Sequence, residues 1–477
     1  MRHSSFALPA PGRRACALAV ALAASLAGAG AGAAADTRSP CDLSPASGTV
    51  PSQVENGTLA LVAPRRVGLA NWNVRWWQRH RVWVTLAADN RGPAQAVLLP
   101  ELVVDPRADG GAAMLQVGQP LALAPHAGAS LRMSAWIPDD AKALGMRVAA
   151  GTAGADIVLR FGLECSSARY DKGQVPASAA ALLDPALRLY LGNYVDPLQS
   201  PNAAIEAVRL LATGAQDSAD VAQALRGMLR VVGDGLSFVL APGETLPLAP
   251  PVPAQDPDFE LRADRVAVLR LNPVGAPTAE RALAWAATLH DAVATLAAQH
   301  PRGWIVDLRD FEGEPWPALA GLSPLLQGPT VGAFVSRNGR VDWIVERGAV
   351  RLGGAAPLLD LQLPPEPMVT GPVAVLIGTN TAQAGGVVAI AFEGRPRTRF
   401  FGPAAAQSPN SGVRRHELSD GTVVGILETR AADRNGRIWR GPMEPDVVLA
   451  ADVPADAFVK PALDWVLAEP STDAGAR

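Results

Sequence analysis

The chain has 477 residues, room for about three domains at the usual domain size. Its 49% hydrophobic and 18% charged residues are those of a folded protein with a buried core, which excludes an intrinsically disordered chain. A net charge of −3 lacks the basic footprint of a nucleic-acid binder and steers no strongly charged partner toward the surface.

The chain opens MRHSSFALPAPGRRACALAVALAASLAGAGAGAAAD, with Arg13 and Arg14 before an apolar run from Ala15 to about Leu26. An Ala-x-Ala cleavage site follows near Ala33 to Ala35. This reads as a secretory signal over 1–35. The run is short for a membrane span and no later stretch qualifies, so no stable membrane anchor is expected after cleavage. Neither Cys16 nor Cys41 sits in a Leu-small-small-Cys lipidation sequence, and the arginine pair lacks a Tat context. Arginine far outnumbers lysine, present only as Lys142, Lys172 and Lys460, which with the Ala, Gly and Pro load points to a high-GC bacterial gene. The expected location is periplasmic or secreted. The mature chain keeps Cys41 and Cys165; a disulfide is the economical reading, two reduced core cysteines the alternative. Closing a loop of that length stabilises by about 4 to 5 kcal/mol in the chain-entropy model.

From 36 to 168, short alternating or apolar runs recur between turn residues: Thr58 to Ala63, His80 to Ala87, Ala96 to Asp105, Ser130 to Ile137 and Asp156 to Leu163. That rhythm predicts an all-β sandwich whose first and last strands the disulfide would tie. Within it, NWNVRWWQRHRVWV (Asn71 to Val84) has two readings. Trp72, Trp76 and Trp77 form a stacking platform for a ligand, or they pack over the end of the sandwich.

Residues 169–244 read as a helical subdomain, with candidates at Pro185 to Leu191, Asn202 to Ala212 and Ser218 to Val231. Val221, Leu225, Met228 and Val232 recur at core-facing spacing and lead into VVGDGLSFVL. A Pro-rich linker covers 245–257. From 258 to 470 the pattern is β-α-β: strands at Arg265 to Leu271 and Trp304 to Leu308, a helix capped by Thr278 and another from Trp316 to Leu326. An Asn338-Gly339 hairpin joins Thr330 to Val335 with Val341 to Glu346. Such alternation predicts a largely parallel sheet. GWIVDLRDFEGEPWP closes the second strand. Further on, the apolar run Val373 to Ile377 reads as a buried strand, Thr379 to Thr381 as a polar turn, and the stretch from Gly385 to Gly394 as a helix. A strand feeding a turn and then a helix aims backbone N–H groups at whatever occupies the turn, which suits an oxyanion.

GDGLSF, GWIVDLRDFEGEPWP and TAQAGG (Thr381 to Gly386), with ELSDGTVVG and ADRNGRIWRGPMEPDV, resemble the tail-specific, or C-terminal-processing, serine peptidases over about Pro185 to Val448. That family's motifs read roughly GDGHSF, GWIVDLRGNGGGNMWP and TASSGE. The resemblance implies a β-α superhelix of the crotonase and caseinolytic-protease kind. It places Gln383 at the nucleophile, Leu236 at the base beside a retained Ser237, and Gly386 at the glutamate. Ala384 and Gly313 supply what remains of the oxyanion-hole backbone. Glutamine has no oxygen nucleophile and leucine cannot take a proton. Losing either triad member costs on the order of a millionfold in rate, roughly 8 kcal/mol of barrier. Asp310, Glu312 and Glu314 add carboxylates that oppose an oxyanion. Where relatives carry a dyad lysine in GKG, this chain reads AAAQSPNSG, which excludes a Ser-Lys dyad, and the linker leaves no room for a PDZ domain.

Displaced chemistry is the alternative, with Ser411 or Ser408 and the base His416; His3, His80, His126, His290 and His300 read as leader, surface or packing residues. Asp307 and Arg309 read as a structural ion pair. The leading expectation is an exported pseudopeptidase that binds peptide or protein in the old cleft. A working serine hydrolase and a structural envelope protein are the competing classes. No metal and no cofactor is implied, and no nucleic-acid partner.

Overall fold

The computed structural model describes residues 38–40, 57–61, 65–105, 114–150, 155–233, 235–246, 253–364, 368–379, 381, 383–403, 412–450 and 455–470. The leader over 1–35 lies outside them, as do Cys41, Ser408 and Ser411.

Two antiparallel sheets make up the N-terminal region. One joins Arg38–Pro40, Gly57–Leu61, Arg81–Asn90, Gly128–Trp136 and Ala155–Ser166. The other joins Arg65–Asn73, Ala96–Val104, Met114–Val117, Leu121–Leu123 and Ala143–Ala150. Alternation along Arg81–Asn90 explains the stacking. Val82, Val84 and Leu86 enter a core shared with Leu98, Leu102 and Met146 of the other sheet. Full burial of each such side chain contributes roughly 1.5 to 3 kcal/mol. Arg81 and Trp83, on the opposite face, are buried as completely, because helices cover that side. Cys165 is disulfide-bonded, and Ser39 stands opposite it in the strand register. Its expected partner Cys41 lies outside the described residues.

Helices α1 (Ala177–Asn193), α2 (Pro201–Leu211) and α3 (Ser218–Val232) follow. Asp217 caps α3 by accepting from Asp220 N–H, and Gly233 ends it in the left-handed conformation at φ 69°. Arg81 ties these helices to the sheet. Its Nη1 donates to the carbonyls of Leu211 and Thr213 at 3.1 and 2.7 Å, and its Nε and Nη2 reach Ser134 Oγ at 3.0 and 2.8 Å. Asp220 of α3 lies 3.5 Å away and accepts from Trp83 Nε1 at 2.9 Å. Burial lowers the basicity of the Arg81 guanidinium and Asp220 opposes that shift.

The remainder is α/β. A six-stranded sheet runs Asp258–Leu261, Val266–Arg270, Gly303–Asp307, Val373–Leu376, Thr398–Gly402, Val447–Val448, parallel throughout except at the first strand. Helices α4 (Ala279–Ala297), α5 (Pro315–Gly321), α6 (Ser323–Leu326) and α7 (Gln383–Phe392) build the large core on one face, and α8 (Ala455–Ala468) covers the other. Thr278 caps α4, whose Trp285, Leu289, Val293 and Leu296 are buried. An antiparallel sheet joins Leu359–Asp360, Ala349–Leu352, Gly339–Glu346, Thr330–Ser336 and Thr429–Asp433. A three-stranded one pairs Phe238–Leu240 with Val423–Leu427 and that strand with Val413–Glu417. Glu428 alone separates Val423–Leu427 from Thr429–Asp433, so one chain passes between the two sheets.

Of the two readings of the Trp-rich stretch, Trp72 and Trp77 follow the packing one: they are 3% and 7% exposed and belong to the core between the sheets, while Trp76 is 71% exposed. Other expectations are corrected. The strand Arg65–Asn73 went unread because Gly68 sits at a register shift that breaks its alternation. Helix α1 begins at Ala177 and runs through Pro185, since Ala179, Leu183, Ala186, Leu187 and Tyr190 bury one face that outweighs the missing N–H. The helix expected from Trp316 to Leu326 is interrupted at Leu322, where Pro324 cannot donate back to the preceding turn.

Candidate functional site

The site begins at the carboxyl end of Val373–Leu376, a strand in the middle of the parallel sheet. Two interactions lock the turn beyond it. Gly378 N–H donates to Thr381 Oγ1 at 2.8 Å, and that buried hydroxyl donates to the Leu308 carbonyl at 2.9 Å. The chain then places Gln383 at φ 43° as the first, exposed residue of α7. Held there, a non-glycine residue stores about 1 to 3 kcal/mol of strain. A strained strand-to-helix turn is also how some hydrolases raise a nucleophile above a sheet. Ala384, Gly385 and Gly386 follow, all buried. A Cβ on Gly385 would come within 3.2 Å of the Phe311 carbonyl, so this glycine admits the GWIVDLR loop against the helix. A glutamate side chain at Gly386 would enter a buried stretch of helix.

Across from the turn, α3 delivers Leu236 and Ser237. Leu236 is half-buried and packs against the helical core. Ser237 Oγ accepts from Leu427 N–H at 3.1 Å. Ser237 and Gln383 line one cleft of about 740 Å³, with Phe238, Val239, Arg226, Leu229, Leu246 and the turn Val117 to Pro120 of the N-terminal region. Leu236 and Gly313 are not among its lining residues. Gly313 instead bridges Gly275 at φ 112°, and a Cβ there would lie 2.2 Å from the Gly275 carbonyl oxygen. Phe311, beside it in sequence, is buried against Trp285 at 6.0 Å between ring centroids.

His416 is outside the cleft lining. It lies on Val413–Glu417, separated from Phe238–Leu240 by Val423–Leu427, and its Nε2 is 2.6 Å from Glu428 Oε1. Asp307 and Arg309 form a two-pronged ion pair at 2.9 and 2.6 Å, which raises the basicity of the guanidinium further against the pull of burial. No cluster of potential metal ligands occurs among the described residues, and no helix among them is long and apolar enough to cross a membrane. Reading the sequence missed Arg226, Glu244 and Gln119 at the cleft. Arg226 sits one position after a core leucine on an amphipathic helix, where it reads as a solvated residue.

A mixed α/β region in which a strained strand–turn–helix opens on a cleft defines the class. Residues 265–449 match the model of Peptidase family S41, so the likeness to that family is a property of this segment. The Nisin-resistance protein of Lactococcus lactis subsp. lactis is 32% identical over 150 residues, 30% of this chain and 45% of that protein, so the match spans less than half of the relative. Among solved structures, a lipoprotein from Streptococcus agalactiae aligns at 16% identity and TM-score 0.45 over 61% of this chain and 97% of its own. The photosystem II D1 C-terminal processing protease aligns at 16% and TM-score 0.41 over 61% and 97%.

Proposed function

We propose that this chain is an exported relative of the S41 peptidases that keeps the cleft and has lost the catalyst, holding a peptide or protein segment as decoy, adaptor or inhibitor. In this reading the chain divides into a sandwich (36–168), a helical subdomain (169–244), a linker (245–257) and a β-α superhelix (258–470). The observation that carries it is Gln383. At the apex where an attacking hydroxyl would stand, facing the same cleft as Ser237, the chain presents an amide. Leu236 holds the base position on the sequence resemblance alone, since it packs against the helical core and does not line the cleft.

The mature protein treated with a fluorophosphonate should stay unlabelled. Stoichiometric label at Ser237, Ser408 or Ser411 refutes the proposal. Gln383→Ser combined with Leu236→His should restore labelling and hydrolysis of unstructured peptides. The name of the Lactococcus relative makes nisin the first compound to titrate against the unaltered cleft.

The His416–Glu428 contact favours a second reading, because an imidazole oriented by a carboxylate is the base half of a triad. Ser411 or Ser408 would supply its nucleophile, and the same label distinguishes the two.

A further inference from the structure

Three parts of the chain distant in sequence meet on one carboxylate at the cleft. Glu244 accepts from Ala241 N–H at 2.6 Å and from Gln119 Nε2 at 2.9 Å, and it is ion-paired with Arg226. Gln119 Nε2 and Arg226 Nε also both donate to the Val239 carbonyl, at 3.1 and 2.9 Å. Gln119 comes from the N-terminal sheets and Arg226 from α3, while Val239 and Ala241 belong to the strand that follows Ser237 and to its exit. The turn Val117 to Pro120 is thereby pinned as one wall of the cleft.

The chemistry of that wall is one-sided. Val117, Pro120, Leu229, Phe238 and Leu246 present apolar surface, and the Arg226 charge is already matched by Glu244. An anionic side chain entering beside Arg226 would lose water and find that guanidinium already paired, while the Arg415 guanidinium lies over the outer Phe238 ring at 5.5 Å. The Val239 carbonyl is doubly engaged, so an incoming chain cannot use it for strand addition, and selection falls on side chains.

We infer that the turn Val117 to Pro120, positioned by Glu244, determines what the cleft accepts, and that its occupant is an uncharged, apolar peptide segment. This rests on the reading of the cleft as a peptide site. Gln383→Cys places a thiol in the cleft, Cys165 being disulfide-bonded. Its labelling is then compared between N-ethylmaleimide, a bulky neutral maleimide and a sulfonated maleimide. Glu244→Gln uncovers the Arg226 charge and should raise the ratio of anionic to neutral labelling about tenfold, a change that loosened packing alone does not produce. Gln119→Ala keeps the ion pair and should speed the bulky neutral reagent while leaving the charge ratio in place. Thermal melts verify that both variants are folded. An unchanged charge ratio in folded Glu244→Gln, or no gain with the bulky reagent in folded Gln119→Ala, overturns the inference. The thiol reports access and not turnover, so fluorophosphonate labelling of the unaltered protein would sink the pseudopeptidase reading while leaving this result standing.

Discussion

At the scale of single residues, Glu393 is a strongly perturbed carboxyl among the described residues. It follows the last residue of α7, and burial pushes its pKa up to about 7, with Asp446 and Asp433 adding to the shift and Arg437 opposing it. The folded protein therefore holds the proton more tightly than the unfolded chain. The stability this supplies is fully present below the unfolded value of 4.5 and is lost as pH rises to about 7. Glu393→Gln should escape that loss. Denaturant melts should show the variant ahead of the parent by about 1 to 2 kcal/mol at pH 8, allowing for solvent screening, with little difference at pH 4. A gap that does not change with pH would contradict this assignment. Gln383 could be singled out in the sequence because its neighbours in TAQAGG keep a recognisable spacing. Glu244 could not, since its partners Gln119 and Arg226 reach it only after folding.

At the scale of elements, apolar runs and periodicity were a good guide where nothing interrupts them. Val373–Leu376 and α3 lie within a residue of their sequence readings, α4 follows its expected cap Thr278, and α7 begins at Gln383, two residues ahead of Gly385. The pattern failed where a register shift intervenes, as along Arg65–Asn73, or where a proline sits inside a helix with enough burial to override it, as in α1. Arg81 shows the energetic side of a doubly covered strand. Arg81→Met would leave Asp220 buried with its cation gone, a loss of about 3 to 5 kcal/mol. Equilibrium unfolding should register it, and adding Asp220→Asn should recover part of the loss. Additive costs from the two substitutions would mean that no coupling joins them.

At the scale of the whole molecule, the Arg81 network holds the N-terminal sheets against the helices that shape the cleft, while Cys165 carries a crosslink. On the sequence reading its loop runs back to Cys41, so reduction under native conditions should lower stability by about 4 to 5 kcal/mol. An unmoved denaturation midpoint after reduction would show that the bond does not close a loop within this chain. The passage of one strand from the small sheet into the larger one, interrupted by Glu428 alone, has a mechanical corollary. The floor under Ser237 and the body behind α7 share a continuous ribbon, so a movement that swings one from the other along this route must flex at a single peptide unit. The carboxylate carried there is held by His416, making that imidazole a brake on the pivot.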